Sequence, residues 1–221
     1  MSVESGELAG QIEDQQALFN LNNLVRGGKV DLAQLAHFER LLSTLGLPAG
    51  LAGTLVDWMD ADSEPQPQVG AEDEVYLALQ PPYLAANRPL TDLAELAMVR
   101  GFDDNVRSRL RPFASALPVF TPVNVNTAPP EVLASIIEGL GLDGARDLVA
   151  RRDRAYFRDR TDLLRQLPTG VLVGPADVSF SSEYFMASMR VSIGGAQARG
   201  VALLARGNPG TWPAIVWRKA L

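Results

Sequence analysis

From Tyr184 to Ile193 the chain alternates: Phe185, Ala187, Met189, Val191 and Ile193 fall on one side, Tyr184, Ser188, Arg190 and Ser192 on the other. A period of two places these sets on opposite faces of an antiparallel strand, half-buried on its apolar side. Gly194-Gly195 suits a tight hairpin turn, with Ala198 to Arg206 as the return strand. Gly207-Asn208-Pro209-Gly210 then leads into a last strand around Trp212 to Trp217. Whatever precedes it, the chain must end in a sheet.

Before Pro168 the period is helical. Leu32, Leu35, Ala36, Phe38, Leu41, Leu42 and Leu45 recur at helix spacing, with Asp31 placed as N-cap and Gly46 as terminator. A second helix is predicted from about Pro48 to Met59, and a shorter one begins at Thr91, with Glu95 in its first turn. Thr127-Ala128-Pro129-Pro130-Glu131 reads as another helix start, Gly139-Leu140-Gly141 as a tight turn, and Thr161-Asp162-Leu163 as the next start. Leu45-Gly46-Leu47 and Leu140-Gly141-Leu142, each followed by apolar residues at matching offsets, suggest two helix-turn-helix units of related design. The first carries about 25 extra residues, too little repetition for a solenoid.

The polar residues from Ser2 to Gln16 read as the exposed end of a longer helix. Phe19 to Leu24 reads as a short strand placed beside the C-terminal strands, because it is too short to stand alone. The expected fold is therefore α+β, an antiparallel sheet interrupted by a large helical insertion.

With 47% hydrophobic residues in 221, the chain can bury a core without crosslinks, and having no cysteine it excludes thiol catalysis, disulfides and Cys-based metal sites. A net charge of −6 argues against a phosphate backbone as partner. Arg146, Arg151, Arg152, Arg154, Arg158 and Arg160 form the one basic run, interleaved with Asp147, Asp153 and Asp159, and are expected to be a solvated face laced with ion pairs. No apolar run is long enough to cross a bilayer and no export signal is visible, so the sequence reads as soluble, as it would if it opened after a membrane segment.

Asp57, Asp60, Asp62, Glu64, Glu72, Asp73 and Glu74 crowd seven carboxylates into 18 residues, and no Lys or Arg occurs from Leu41 through Asn87. Like charges held together resist ionisation unless a cation intervenes. Calcium accepts six to eight oxygens in a flexible geometry. Asp60-Ala61-Asp62-Ser63-Glu64 offers alternating oxygen donors, and Gly70-Ala71-Glu72-Asp73 is placed to close the same cavity. The glycine and terminal glutamate of an EF-hand are missing, so spacing alone leaves calcium and a solvated acidic loop both open, with magnesium the weaker choice.

Paired carboxylates also serve glycoside hydrolysis, but the sequence announces no sugar cleft. His37, the only histidine, lies in an apolar helical pattern and reads as a satisfied core-edge residue. No nucleophile elbow or phosphate-binding glycine motif is present. Trp58, Trp212 and Trp217 read as core or rim filling before interface anchors. Gly139 to Val149 resembles a helix-hairpin-helix module, making nucleic-acid binding the alternative function; Asp143 at the turn and the acidic balance weigh against it.

Several segments together carry a more specific likeness. They are Phe19 to Leu24, Leu55 to Asp62, Gly70 to Tyr76, Asn87 to Leu90 with Arg100 to Asp103, Asn124 to Leu133, and Ser182 to Phe185. In this order they resemble the K-type minor pseudopilins of type II secretion systems over nearly the whole chain. The resemblance implies a pilin-like sheet domain with a large helical insertion. Its divisions are residues 1–28 for the end of an N-terminal helix and the first strand, 29–121 for a helical unit with the acidic insertion, 122–170 for a helix-hairpin-helix-like unit, and 171–221 for the C-terminal strands. It implies a non-enzymatic assembly role at the tip of the pseudopilus, with I-type and J-type minor pseudopilins as partners, the major pseudopilin and exported proteins as further contacts, and no nucleic acid. It also implies a cleaved and methylated start, a single span in the inner membrane and a periplasmic location for this part. Carried onto these positions, the family's calcium falls first to Asp60, Asp62, Glu72 and Asp73, then to Asp57, Ser63, Glu64 and Glu74.

Overall fold

The computed structural model describes residues 6–67, 69–208 and 210–221. Two compact units account for them: residues 6–16 with 181–221, and between these Ala17–Phe180. The chain opens with strand β1 (Gly6–Asp14), antiparallel to Tyr184–Ile193 in a register running from Gly6 opposite Ile193 to Asp14 opposite Phe185. The helix expected over residues 2–16 is therefore a strand from residue 6 onward, while residues 2–5 lie outside the described residues. Gly6 and Gly10 each disfavour a helix by about 1 kcal/mol relative to alanine. Leu8 and Ile12 alternate with Glu7, Gln11 and Glu13, so a strand edge satisfies both the pattern and the backbone.

In the second unit β2 (Phe19–Asn20) runs parallel to Ala114–Ser115, and Leu21–Leu24 forms a 3-10 turn. The expected pairing of this segment with the C-terminal strands does not occur. Three buried asparagines redirect it. Asn20 Nδ2 donates to Val119 O at 2.9 Å, Asn22 Nδ2 to Leu90 O at 2.8 Å and Leu117 O at 2.9 Å, and Asn23 Nδ2 to Thr121 O at 2.9 Å. Buried amides must be paired, and these find partners only within the insertion.

A small hairpin of β3 (Val25–Arg26) and β4 (Lys29–Val30) leads to α1 (Leu32–Thr44). Asp31 caps α1, accepting from the Ala33 and Gln34 amides, and Gly46 ends it at φ 62°, as its pattern requires. Helix α2 (Leu51–Met59) is buried on every side, and α3 (Asp73–Leu77) follows the acidic loop. A 3-10 segment over Leu93–Met98 is capped by Asp92 rather than Thr91, while Glu95 accepts from the Thr91 amide at 2.8 Å.

Then come α4 (Asp104–Leu110), β5 (Ala114–Ser115), β6 (Val123–Asn124), α5 (Pro130–Ile136) and α6 (Gly141–Arg152). Helix α7 (Arg160–Gln166), capped by Asp159, precedes β7 (Val178–Ser179), which runs parallel to β6. Helix α1 packs against α2 and α5, and α5 against α6. One core runs from Phe19 to Val178, with Phe19 stacked on Phe38 at 5.6 Å, so residues 29–121 and 122–170 share a core.

The chain ends in β8 (Tyr184–Ile193), β9 (Ala196–Ala205) and β10 (Ala214–Ala220), completing a sheet of order β1-β8-β9-β10. The turn falls at Gly194-Gly195, where Gly194 has φ 58°. Trp58 is core, Trp217 half-buried and Trp212 fully exposed.

Candidate metal centre

The acidic residues divide into two groups with different work. Asp57, in the last turns of α2, is fully buried and closes the loop that follows. Its carboxylate accepts from the Gln66 amide at 3.1 Å and from the Ala71 amide at 2.7 Å. Gly70 has to be glycine there, because a Cβ would collide with the Asp57 carboxylate and the Gln66 backbone. Asp73 likewise has Oδ1 engaged by the Ala85 amide at 2.9 Å.

Closing the loop brings Asp60, Asp62 and Glu72 together, with one carboxylate oxygen of each within 4.8 Å of the others. Asp60 ends α2 in extended conformation, with its amide still bonded to Val56 O, and Glu72 precedes α3 without capping it. Asp62 is exposed, and its Oδ1 accepts from the Glu64 amide at 3.0 Å. Asp60 Oδ1 and both carboxylate oxygens of Glu72 are buried with no hydrogen-bond partner among the described residues. Of the other predicted ligands, Ser63, Glu64 and Glu74 are exposed, and none of them joins this trio.

Burial, and after it the charges of Asp62 and Asp57, pushes Asp60 up to about 6. Burial, followed by Asp57, Asp60, Asp73 and Asp62, pushes Glu72 up to about 7. Burial also raises Asp57, against the lowering effect of its two amide donors. Orphaned buried carboxylate oxygens of like charge are costly by themselves and become favourable when a hard cation supplies the missing charge. The donor set, oxygen alone, fits calcium. Sequence reasoning missed Asp57's part as a clamp; its nine-residue and fourteen-residue reaches to Gln66 and Ala71 leave no local signature. It also missed the aromatic cluster built from the segments on either side of the loop in sequence, where Tyr76 lies 5.0 Å from Trp58 and 5.4 Å from Tyr83.

The described family "Type II secretion system (T2SS), protein K" matches this chain in two consecutive segments, residues 17–119 and 123–179. The chain belongs to the type II secretion system protein K family. Among relatives of that name, the Pseudomonas aeruginosa protein is 40% identical over 212 residues, covering 94% of this chain and 63% of the relative. The Aeromonas hydrophila protein is 30% identical over 93% of this chain and 69% of its own length, and the Klebsiella pneumoniae protein 35% identical over 92% and 67%. The chain thus spans 63% of the first of these type II secretion system K proteins. A solved structure, the GspK-GspI-GspJ complex from enterotoxigenic Escherichia coli, matches over 100% of this chain and 81% of the matched one, with a TM-score of 0.76 at 24% identity. That match shows the fold alone, an antiparallel sheet with a helical insertion. Among the described residues no helix is long and apolar enough to cross a membrane.

Proposed function

We propose that this chain is the periplasmic part of a K-type minor pseudopilin, which assembles with I-type and J-type minor pseudopilins at the tip of the pseudopilus. There it initiates or caps the filament during export of folded proteins across the outer membrane. The observation that carries the reading is the fold match over the full chain to a protein solved together with those two partners. A filament extends through a repeating head-to-tail contact, whereas a cap needs only one competent side. An insertion as large as Ala17–Phe180 is suited to obstruct the other. The major pseudopilin and exported proteins are further contacts, and the full-length protein is anchored in the inner membrane by a single span.

The role is structural rather than catalytic. His37 is held between Asp177, 3.3 Å from its Nε2, and Arg40 at its Nδ1, an arrangement that ties α1 to the segment before β7. Asp60, Asp62 and Glu72 hold a calcium ion, whose charge stabilises the closed acidic loop by linkage. Asp57 keeps that loop closed through the Gln66 and Ala71 amides, and the Trp58, Tyr76 and Tyr83 rings pack together on the segments that flank it in sequence.

The test is reconstitution: the chain is mixed with the periplasmic parts of I-type and J-type minor pseudopilins and followed by size-exclusion chromatography with light scattering. A complex containing one copy of each supports the assembly reading, and three separately eluting proteins refute it. Calorimetric titration of calcium into chelator-treated protein, with magnesium as control, tests the ion; a folded sample giving no calcium heat removes it.

A further inference from the structure

The arginine-rich run forms only part of the ion-paired face its sequence suggests, through Arg146 with Asp143 and Arg152 with Asp153. Arg152 turns inward, donating from Nη1 to Val125 O at 2.9 Å and also to Ala128 O, and Arg160 donates to Val173 O at 2.7 Å. Arg151 is tied to Gln166 O at 3.0 Å, and Arg146 pairs with Asp143. Three of the nearby carboxylates have partners other than the Arg154 and Arg158 guanidinium groups. Asp159 caps α7, Asp162 Oδ2 accepts from the Arg158 backbone amide at 3.2 Å, and Asp153 lies 3.6 Å from Arg152. Arg154 and Arg158 are left exposed, with no side-chain partner among the described residues. The two guanidinium groups are therefore free to meet a ligand that brings its own negative charge.

Both arginines line a cleft of about 630 Å³ between the end of α6 and the start of α7. Tyr156, 70% exposed, stands in the same cleft, and the neighbouring Phe157, also in its lining, is buried. The cleft is half open to solvent, a shape that admits an extended segment rather than one that encloses a small ligand. It presents two planar forks for carboxylates beside an aromatic surface.

We propose that this cleft docks an acidic segment of a partner protein, an extended peptide whose aspartate or glutamate meets Arg154 and Arg158 while a neighbouring apolar side chain lies on Tyr156. Asp162 in the lining and the net charge of −6 disfavour closely spaced phosphates, which concentrate more negative charge than isolated carboxylates. The site is separate from the acidic loop and does not depend on its ion.

The probe is a fluorescein-labelled peptide alternating aspartate or glutamate with leucine or phenylalanine, titrated into the whole chain by fluorescence anisotropy. Saturable binding is expected, absent for the matching asparagine and glutamine peptide. The Arg154→Glu/Arg158→Glu double variant should weaken it at least about tenfold, since facing charges then repel. Tyr156→Ser should weaken it several-fold, and Arg218→Glu on β10 should leave it unchanged. Circular dichroism checks that the double variant folds; if it does not, Arg154→Gln and Arg158→Gln singly carry the test. The proposal is overturned if the acidic peptide does not bind, if folded variants bind it equally, or if inorganic phosphate, an oligonucleotide or phosphatidylglycerol vesicles take the site in preference to the peptide.

Discussion

Replacing Asp57 by alanine separates the clamp from the cation site. Asp57 is fully buried and is the acceptor for two loop amides, of which Ala71 is buried and Gln66 half-buried. Leaving a buried donor without its acceptor costs about 1–3 kcal/mol, and Gln66 can recover part of its loss from water. Removing a desolvated charge beside Asp60, Asp62 and Glu72 offsets some of the rest. The net loss is about 3 kcal/mol with the cation chelated. The Ala17–Phe180 unit has about 160 residues, and at about 2.1 cal/mol/K per residue that loss lowers its melting temperature by about 9 °C. Asp62→Asn is the counterpart, exposed and outside the clamp, and should stay within about 2 °C of the parent in chelator. Thermal unfolding by circular dichroism in chelator measures both. An Asp57→Ala midpoint within about 1 °C of the parent would refute the clamp argument.

Glu72→Gln and Asp62→Asn should each weaken calcium binding at least about tenfold by calorimetry, because each removes a converging charged oxygen; unchanged affinity would place the ion elsewhere. In chelator, Asp60 and Glu72 keep protons in the folded state that the unfolded chain has already released, so stability should fall as pH rises from about 4 to about 7. The calcium increment should grow over the same window, and a melting temperature rising with pH there in chelator contradicts the reasoning. Asn22→Ala removes its bonds to Leu90 O, Leu117 O and the Leu90 amide and should cost about 3–5 kcal/mol in urea unfolding; a loss below about 1 kcal/mol would mean these groups find water instead. Asp177 is held low, chiefly by its hydrogen bond to His37, so the stability it contributes is lost as pH falls through its folded value, below the usual range for aspartate. Asp177→Asn should remove that acid sensitivity, measured as a smaller drop in melting temperature between about pH 5 and pH 3.

Local patterns settled much of this molecule in advance. Asp31 and Gly46 bound α1 because capping needs only neighbouring amides and a positive φ, and the alternation through Tyr184–Ile193 with Gly194-Gly195 defines a hairpin without outside help. The density of carboxylates marked the acidic loop as a candidate cation site for the same reason. What the sequence could not show were choices made by distant partners. Gly6–Asp14 becomes a strand because β8 offers it a free edge more than 170 residues away, and Asn20, Asn22 and Asn23 turn their segment into the insertion by bonding to carbonyls near Leu90 and Leu117–Thr121. Seven similar carboxylates were separated in the same way: Asp57 found two amides, Asp60 and Glu72 were buried with orphaned oxygens, and Glu64 and Glu74 stayed in water. A side chain's chemistry is set by residue type, but its pairing and desolvation depend on which distant backbone groups the fold brings beside it.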